Sequence, residues 1–555
     1  MRKLLKPFAI LLTSLVLYAC GGGSDSETTT TTPPPTGGGN PPPPVTKAEA
    51  VRLLQQATFG TRMQDIDEVV DRGIEDWIDW QLSLPATKHL DYYNEVTIED
   101  DNTWSQHINA WWDRSLTAED QLKQRVAFAL SQILVIGQSG VSAGGQDGVR
   151  SLSNYYDVLL TEGLGNYRQL IESVTLNPVM GEYLSMLRNE KPDLEKNIRP
   201  DENYARELMQ LFTIGLVELE LDGEVKTGSQ GNPIPTYNQD IIEGFAHVFT
   251  GWTWSNAERF KWWDENRDLL GPMKAFADYH AEGEKQVLNG VVIPAGQTPE
   301  QDLEQALDNI FNHPNVGPFI SKQLIQKLVT SNPSNAYVQR VATIFNNNGA
   351  GVRGDMKAVV KAILMDDEAR SGTTSSDKIF GKVKEPILRL TALWRAFDAK
   401  TTNGIYDFRW VNNDFAQGPL QSPSVFNFFS PFYSPQGQFK DNDWVAPEMQ
   451  IHSEGTMAKM TNHLHWRALS LNNFARANPD ENDIVIDITR ERDLANDIDA
   501  LIDHLNLLLL AEQMSDELKL ALTDFLNSFG EEDYEDKAAD AIGLIITSPE
   551  FAVQR

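Results

Sequence analysis

The sequence predicts a mainly α protein: a large multi-helix domain, organised as two helical lobes, with small β-hairpins between helices. Three observations carry this expectation. Apolar residues recur at helical spacing through most of the chain beyond Thr46. Strand-like alternation is confined to three short stretches. No stretch holds the ~18 or more uninterrupted apolar residues that a membrane span needs.

The helical stripes begin with Ala48, Leu53, Leu54 and Ala57. The same spacing predicts helices over 122–136, 152–160 and 167–174, then 324–329, 338–345 and 359–364, and finally 387–397, 501–510 and 518–526. Val217 to Leu221 alternates before Asp222-Gly223, a hairpin signal. Val287 to Ile293 carries Asn289-Gly290 at a second turn, and Ile484 to Ile488 is a third alternating run. An apolar helix end followed by an acidic turn occurs twice, at 361–369 and 541–552. The two copies suggest the ends of two lobes, 46–370 and 371–555, with the break where Ser371-Gly-Thr-Thr-Ser-Ser376 loosens the chain.

The N-terminus has a different character. Met1 to Lys6 is basic, and Pro7 to Leu17 is almost purely apolar but too short to span a bilayer. It ends Leu17-Tyr18-Ala19-Cys20, which resembles the lipobox of bacterial lipoproteins, with a bulkier residue than usual at Tyr18. Residues 1–19 are then a signal peptide, Cys20 the lipidated residue, and the protein a lipoprotein held at the membrane by its acyl chains. Cys20 is the single cysteine, so the domain has no internal disulfide and rests on its core alone. Gly21, rather than Asp, follows the cysteine, which by the same resemblance points to the outer membrane of a Gram-negative cell envelope. Residues 20–45 run through Gly, Ser, Thr and Pro, a composition that buries nothing and makes a semi-stiff tether.

The formal net charge of −32 argues against nucleic acid and anionic lipid as partners. Divalent cations would suit such acidity, but the D-x-[DN]-x-[DN]-G calcium loop is absent, and Asp441-Asn442-Asp443 is only a turn-like fragment.

The densest polar helix is Asp201-Glu-Asn-Tyr-Ala-Arg-Glu-Leu208, with Pro200 and Asp201 as its start. Glu202 and Arg206 can pair, and Asn203, Glu207 and Gln210 share a face beside an apolar face of Tyr204, Leu208 and Leu211. Asn203, Arg206 and Glu207 are therefore candidate catalytic residues, the alternative being a polar network that fixes helix packing. His280 and Lys285, on a polar loop before the second hairpin, are candidate acid–base groups. Thr236 to Gln239 forms a capping box for a helix ending at Gly251. Glu243 and His247 lie four apart on it and, with Glu207, are the candidate ligands for a divalent metal, without an H-E-x-x-H pattern to support them. Gly140-Val-Ser-Ala-Gly144 matches the nucleophile-elbow string, but a helix rather than a strand precedes Ser142. Trp252, Trp254, Trp262 and Trp263 cluster, as do Trp104, Trp111 and Trp112; exposed, the first group would offer stacking platforms to sugar, and otherwise it packs the core. His463 and His465 diverge on a helix and make a poor metal pair.

Asp201 to Gly215 resembles the N-E-N-[YF]-A-R-E-L-[LM]-E-L-F-T-L-G hallmark of a large bacterial family, domain of unknown function 1800. Further matches are Arg52-Leu-Leu-Gln-Gln-Ala-Thr-Phe-Gly60, Thr250-Gly-Trp252, His280 with Lys285, His313-Pro314 and Ser548-Pro-Glu-Phe551. Asp201 stands where the family usually has Asn, and His247 where it more often has Arg, which weakens the metal reading. The resemblance assigns no catalytic residue. It implies an exported protein whose gene often neighbours a sulfatase-like protein, and so a shared role on extracellular polymers. Two expectations follow: an enzyme or enzyme partner acting on an extracellular polymer, or a non-catalytic surface module that binds a polysaccharide or a partner protein.

Overall fold

In the computed structural model, residues 44–96, 105–142, 145–261, 267–373, 379–465, 483–530 and 532–555 are described, with backbone alone at 145 and 146. The signal peptide, Cys20 and the tether to residue 43 lie outside them, as do Trp104, Trp262 and Trp263. From Pro44 to Arg555 the chain forms one compact unit. It is mainly α, with three two-stranded antiparallel pairs among the described residues.

The predicted stripes become helices, most of them opened by a side-chain cap. Thr46 caps Lys47–Ala57, its hydroxyl accepting from the Glu49 amide at 3.2 Å while the Glu49 carboxylate accepts from the Thr46 amide at 2.8 Å. Gln121–Ser131, Gly145–Glu162 and Tyr167–Thr175 follow in the first half. Val316–Leu328, Asn335–Asn346, Met356–Met365 and Pro386–Ala396 carry the middle, then Ile498–Leu510 and Asp516–Leu526. Their apolar faces meet in one continuous core that takes in Ala50, Leu130, Phe212, Leu324, Leu393, Leu505 and Phe551. The loosened segment expected as a lobe boundary falls partly on residues 374–378, outside those described.

The hairpin signals are realised in reduced form. Residues 217–235 make a ribbon of isolated bridges, Val217 to Pro235 and Leu219 to Val225. Asn289 and Gly290 adopt positive φ of 58° and 70° and reverse the chain between Lys285–Gln286 and Val292–Ile293, with Lys285 opposite Ile293. Val485 exchanges both backbone bonds with Lys400, each 2.8 Å. Lys382–Val383 pairs with Val553–Gln554 and so ties the chain's end to its middle.

Candidate functional site

The hallmark helix departs from the regular helix its sequence predicts. An α segment, Asn203–Glu207, passes into a π segment, Leu208–Thr213. The Ile214 amide reaches back five residues to the Met209 carbonyl at 3.0 Å, and the Thr213 hydroxyl donates to the Leu208 carbonyl at 2.6 Å. The Tyr167 hydroxyl donates to the Phe212 carbonyl at 2.5 Å. Side-chain hydroxyls thus occupy carbonyls that the wider turn frees, a geometry often found at functional sites. The extra residue per turn rotates Leu211 to a half-buried position and buries Met209 and Phe212.

The hallmark residues ahead of the π segment, in the α segment, are separated by their burial. Asn203 is exposed at the helix start. Arg206 is half-buried and pairs with Glu202 at 2.9 Å, which also accepts from Gln239. Glu207 turns inward and is 6% exposed, with Oε2 making no hydrogen bond. Burial raises its pKa, against the pull of Arg206. Two phenols lie close enough to feel that carboxylate. Burial raises Tyr183, with Glu207 adding and the Ser422 side chain opposing. Burial pushes Tyr237 up to about 12, and its hydroxyl is buried without a partner.

Tyr183 connects this helix to an open cleft of about 520 Å³. One wall is Gln138, Ser139, Val141 and Ser142; the other is Asn412, Gln421, Ser422 and Pro423. The walls are tied at their base, where the Gln138 amide donates to the Leu420 carbonyl at 2.8 Å and Gly137 bridges Gln421. Gly140 lies flat on Tyr183, where a Cβ would come within 2.5 Å of the ring. Ser142 therefore does line a cleft, but a 3₁₀ turn precedes it, not the strand an elbow requires, and it makes no hydrogen bond among the described residues.

His280 and Lys285 do meet, in a buried cluster completed by Asp302. Asp302 Oδ2 lies 2.9 Å from His280 Nε2 and 2.6 Å from Lys285 Nζ. His280 Nδ1 is 2.9 Å from the Thr250 carbonyl, and Lys285 also donates to the Gly283 carbonyl at 2.8 Å. Their exposures are 1%, 1% and 0%. The cluster holds the second hairpin onto the Gln239–Val248 and Pro299–Phe311 helices; Gly244 of the first is so close to Gln286 that a Cβ would lie 1.8 Å from its carbonyl oxygen.

Other sequence candidates are rearranged. Asn238, not Thr236, caps Gln239–Val248, accepting from the Ile241 amide at 3.1 Å, while the Thr236 hydroxyl donates to the Gly215 carbonyl. Glu243 is exposed, His247 half-buried and Glu207 buried, and no group of three His, Cys, Asp or Glu converges as metal ligands among the described residues. Trp252 and Trp254 are 3% and 2% exposed, with the Arg188 and Arg267 guanidiniums 5.1 Å and 5.8 Å from the Trp254 ring centroid, so neither offers an open stacking face. Trp262 and Trp263 fall outside the described residues.

The sequence reading missed a second buried polar network, behind the 412–423 wall. Glu385 accepts from Gln132 at 2.8 Å and from Gln417 at 2.5 Å. Lys327 donates to Gln132 Oε1 at 2.8 Å, and Lys382 pairs with Glu448 at 3.1 Å and with Glu385 at 3.7 Å. Asn427 donates to the same Gln132 oxygen at 3.2 Å. Burial pushes Lys327 down to about 8, against the pull of Glu385. Burial acts to raise Glu385, but Lys382, Lys327 and Arg125 outweigh it and lower its pKa. No local pattern marks it: Lys382 and Lys384 flank Val383 with Glu385 and Pro386 next, as charged residues on a surface segment would.

A family model described as "Protein of unknown function (DUF1800)" matches residues 52–553. The chain belongs to that family. The match takes in the cleft, the hallmark helix and both buried networks of this DUF1800 protein, and leaves Cys20 and the tether outside. No curated protein and no solved structure matches the chain.

Proposed function

We propose that this DUF1800 protein is a lipid-anchored cell-envelope protein, seated at the outer membrane, that binds an extracellular polysaccharide in the cleft between residues 138–142 and 412–423. The observation that carries the reading is the lining of that cleft. Ser139, Ser142 and Asn412 are exposed on it and Gln138 and Gln421 are half-buried beside the buried Ser422, and none of the lining side chains is charged. Their amides and hydroxyls both donate and accept, as sugar hydroxyls do. The volume of about 520 Å³ suits one or two sugar residues of a longer chain. The lipobox at Cys20 and the tether to residue 45 support an address beyond the bilayer.

A second reading, catalysis on the same polymer, is favoured by Glu207 alone. A carboxyl whose pKa is raised by burial, near a Tyr183 that bonds the Ser422 side chain, is suited to deliver a proton. His280 and Lys285 take no part in either reading, because their cluster is closed. Co-sedimentation of the full chain, in detergent, with insoluble neutral polysaccharides and with envelope fractions tests the proposal. Asn412→Ala combined with Gln421→Ala should weaken binding by ~10-fold or more, at about 1 kcal/mol per lost hydrogen bond. Undiminished binding in that variant refutes the cleft, and release of reducing ends that is lost in Glu207→Gln selects the catalytic reading.

A further inference from the structure

Two segments that carry the family resemblance, 52–60 and 548–551, have no part in the cleft. They meet instead around a small cavity of about 30 Å³, lined by Gln55, Phe59, Leu388, Leu508, Phe551 and the side chain of Lys384. Lys384 is the one ionisable side chain on that lining. It follows the Lys382–Val383 strand, and its amide donates to the Ala552 carbonyl at 2.8 Å. Regular alternation would put Lys382 and Lys384 on one face, but the strand ends at Val383 and the two side chains meet different surroundings. Lys382 finds Glu448, Glu385 and the Lys327 carbonyl. Lys384 Nζ finds no acceptor and no carboxylate among the described residues, although the residue is 6% exposed. Its one neighbour of note is the Phe551 ring, 4.5 Å from Nζ to the centroid.

The charge imbalance extends beyond one residue. Among the described residues the hydrogen-bond partners of the Arg389 guanidinium, 4% exposed, are the Lys384 carbonyl at 3.3 Å and His452 Nε2 at 3.2 Å. His452, pushed down to about 4 by burial and by Arg389, is neutral at pH 7. Among the described residues, Lys384 and Arg389 thus have no carboxylate partner, in a chain whose net charge is −32. A buried ammonium without a partner is costly, and an external anion relieves it.

We propose that the cavity binds a one- or two-carbon monocarboxylate, its carboxylate paired with the Lys384 ammonium and its carbon end against Leu388, Leu508 and Phe551. The class follows from size and lining. The volume holds roughly two to three water-sized groups, which favours a small anion over a sugar or a phosphate ester. The apolar walls favour an anion with one hydrocarbon side over a fully hydrated one.

The test is titration calorimetry of the full chain at pH 7 with formate and with acetate, against chloride and against neutral acetamide at matched ionic strength. One site per chain is expected for the carboxylates, weakened ~10-fold or more in Lys384→Met, since a charge-assisted bond is lost. A second readout leaves the chain unaltered in sequence: ¹³C-methylation of the lysine amines, followed by NMR. Burial and Arg389 push the Lys384 amine down to about 7, and its resonance should titrate at higher pH when acetate is bound. Equal heats with chloride or acetamide, binding retained in Lys384→Met, or a Lys384 resonance indifferent to acetate each overturn the proposal.

Discussion

Asp302→Asn is the sharpest test of how the hairpin site is held. Asp302 Oδ2 is within 2.9 Å of both His280 and Lys285, and no other carboxylate lies within 4 Å of either among the described residues. The substitution keeps shape and removes the negative charge, leaving the Lys285 ammonium 1% exposed with only the Gly283 carbonyl. Removing one partner of a buried pair costs about 3–5 kcal/mol. The unfolding entropy of a unit of about 510 residues is ~1 kcal/mol per degree at ~2.1 cal/mol/K per residue. The melting midpoint should therefore fall by about 3–5 °C. Differential scanning calorimetry reads this directly. Lys285→Met in the Asp302→Asn background should recover part of the loss, because it removes the stranded charge. Polysaccharide binding at the distant cleft should be unchanged. A fall of under ~1 °C, or a double variant worse than the sum of the singles, refutes the charge-pair account.

Glu207→Gln should stabilise the protein near pH 7, because the raised carboxyl pKa means that ionisation at neutral pH works against the fold. Wild type regains that stability as pH falls below the ordinary carboxyl value, so the difference in urea midpoint should vanish toward pH 4; a pH-independent difference contradicts it. Gly244→Ala places a Cβ 1.8 Å from the Gln286 carbonyl oxygen and should cost ~2 kcal/mol or more, seen as a lower urea midpoint with faster amide exchange at 285–293. Cys20→Ser should leave the chain unacylated by mass spectrometry and shift it from the membrane to the soluble fraction; continued acylation defeats the lipobox assignment.

The helices were legible because their signal is local. Apolar residues at helical spacing, with Thr, Ser, Asp or Asn just ahead, need no knowledge of the partner surface. Boundaries moved where two caps compete, as with Thr236 and Asn238, two residues apart. The π segment was hidden because Tyr167, some 45 positions away in sequence, supplies one of the hydroxyls that accommodate it. His280 and Lys285 could be grouped because they are near in sequence, but Asp302 reaches them only through helix packing. Composition reads lysines as surface residues, so Lys327, Lys382 and Lys384 left no mark until long-range contacts enclosed them. The tryptophans left two alternatives open: clustering in sequence does not distinguish a platform from a packed ring, and Trp252 and Trp254 take the packed one.

The network behind the cleft explains how an irregular segment can serve as a binding wall. Residues 416–427 have no regular secondary structure, and such backbone would ordinarily lose much freedom on binding a ligand. Here the segment is fastened at intervals. Gln417 is held by Glu385, Gln421 and Leu420 by the 137–138 backbone, Ser422 by Tyr183, and Asn427 by Gln132. Each fastener is a polar group in the interior, where a bond to the wrong partner leaves an acceptor or a charge unsatisfied. The buried lysines and glutamates contribute less to net stability than apolar packing would, but they make alternative arrangements of this wall expensive. A wall set in advance pays little ordering cost when a ligand arrives. The hallmark helix enters the same argument through Tyr183: Glu207, at the end of the α segment, acts on the phenol on whose ring Gly140 rests, so the segment most typical of the family stands behind the cleft rather than lining it.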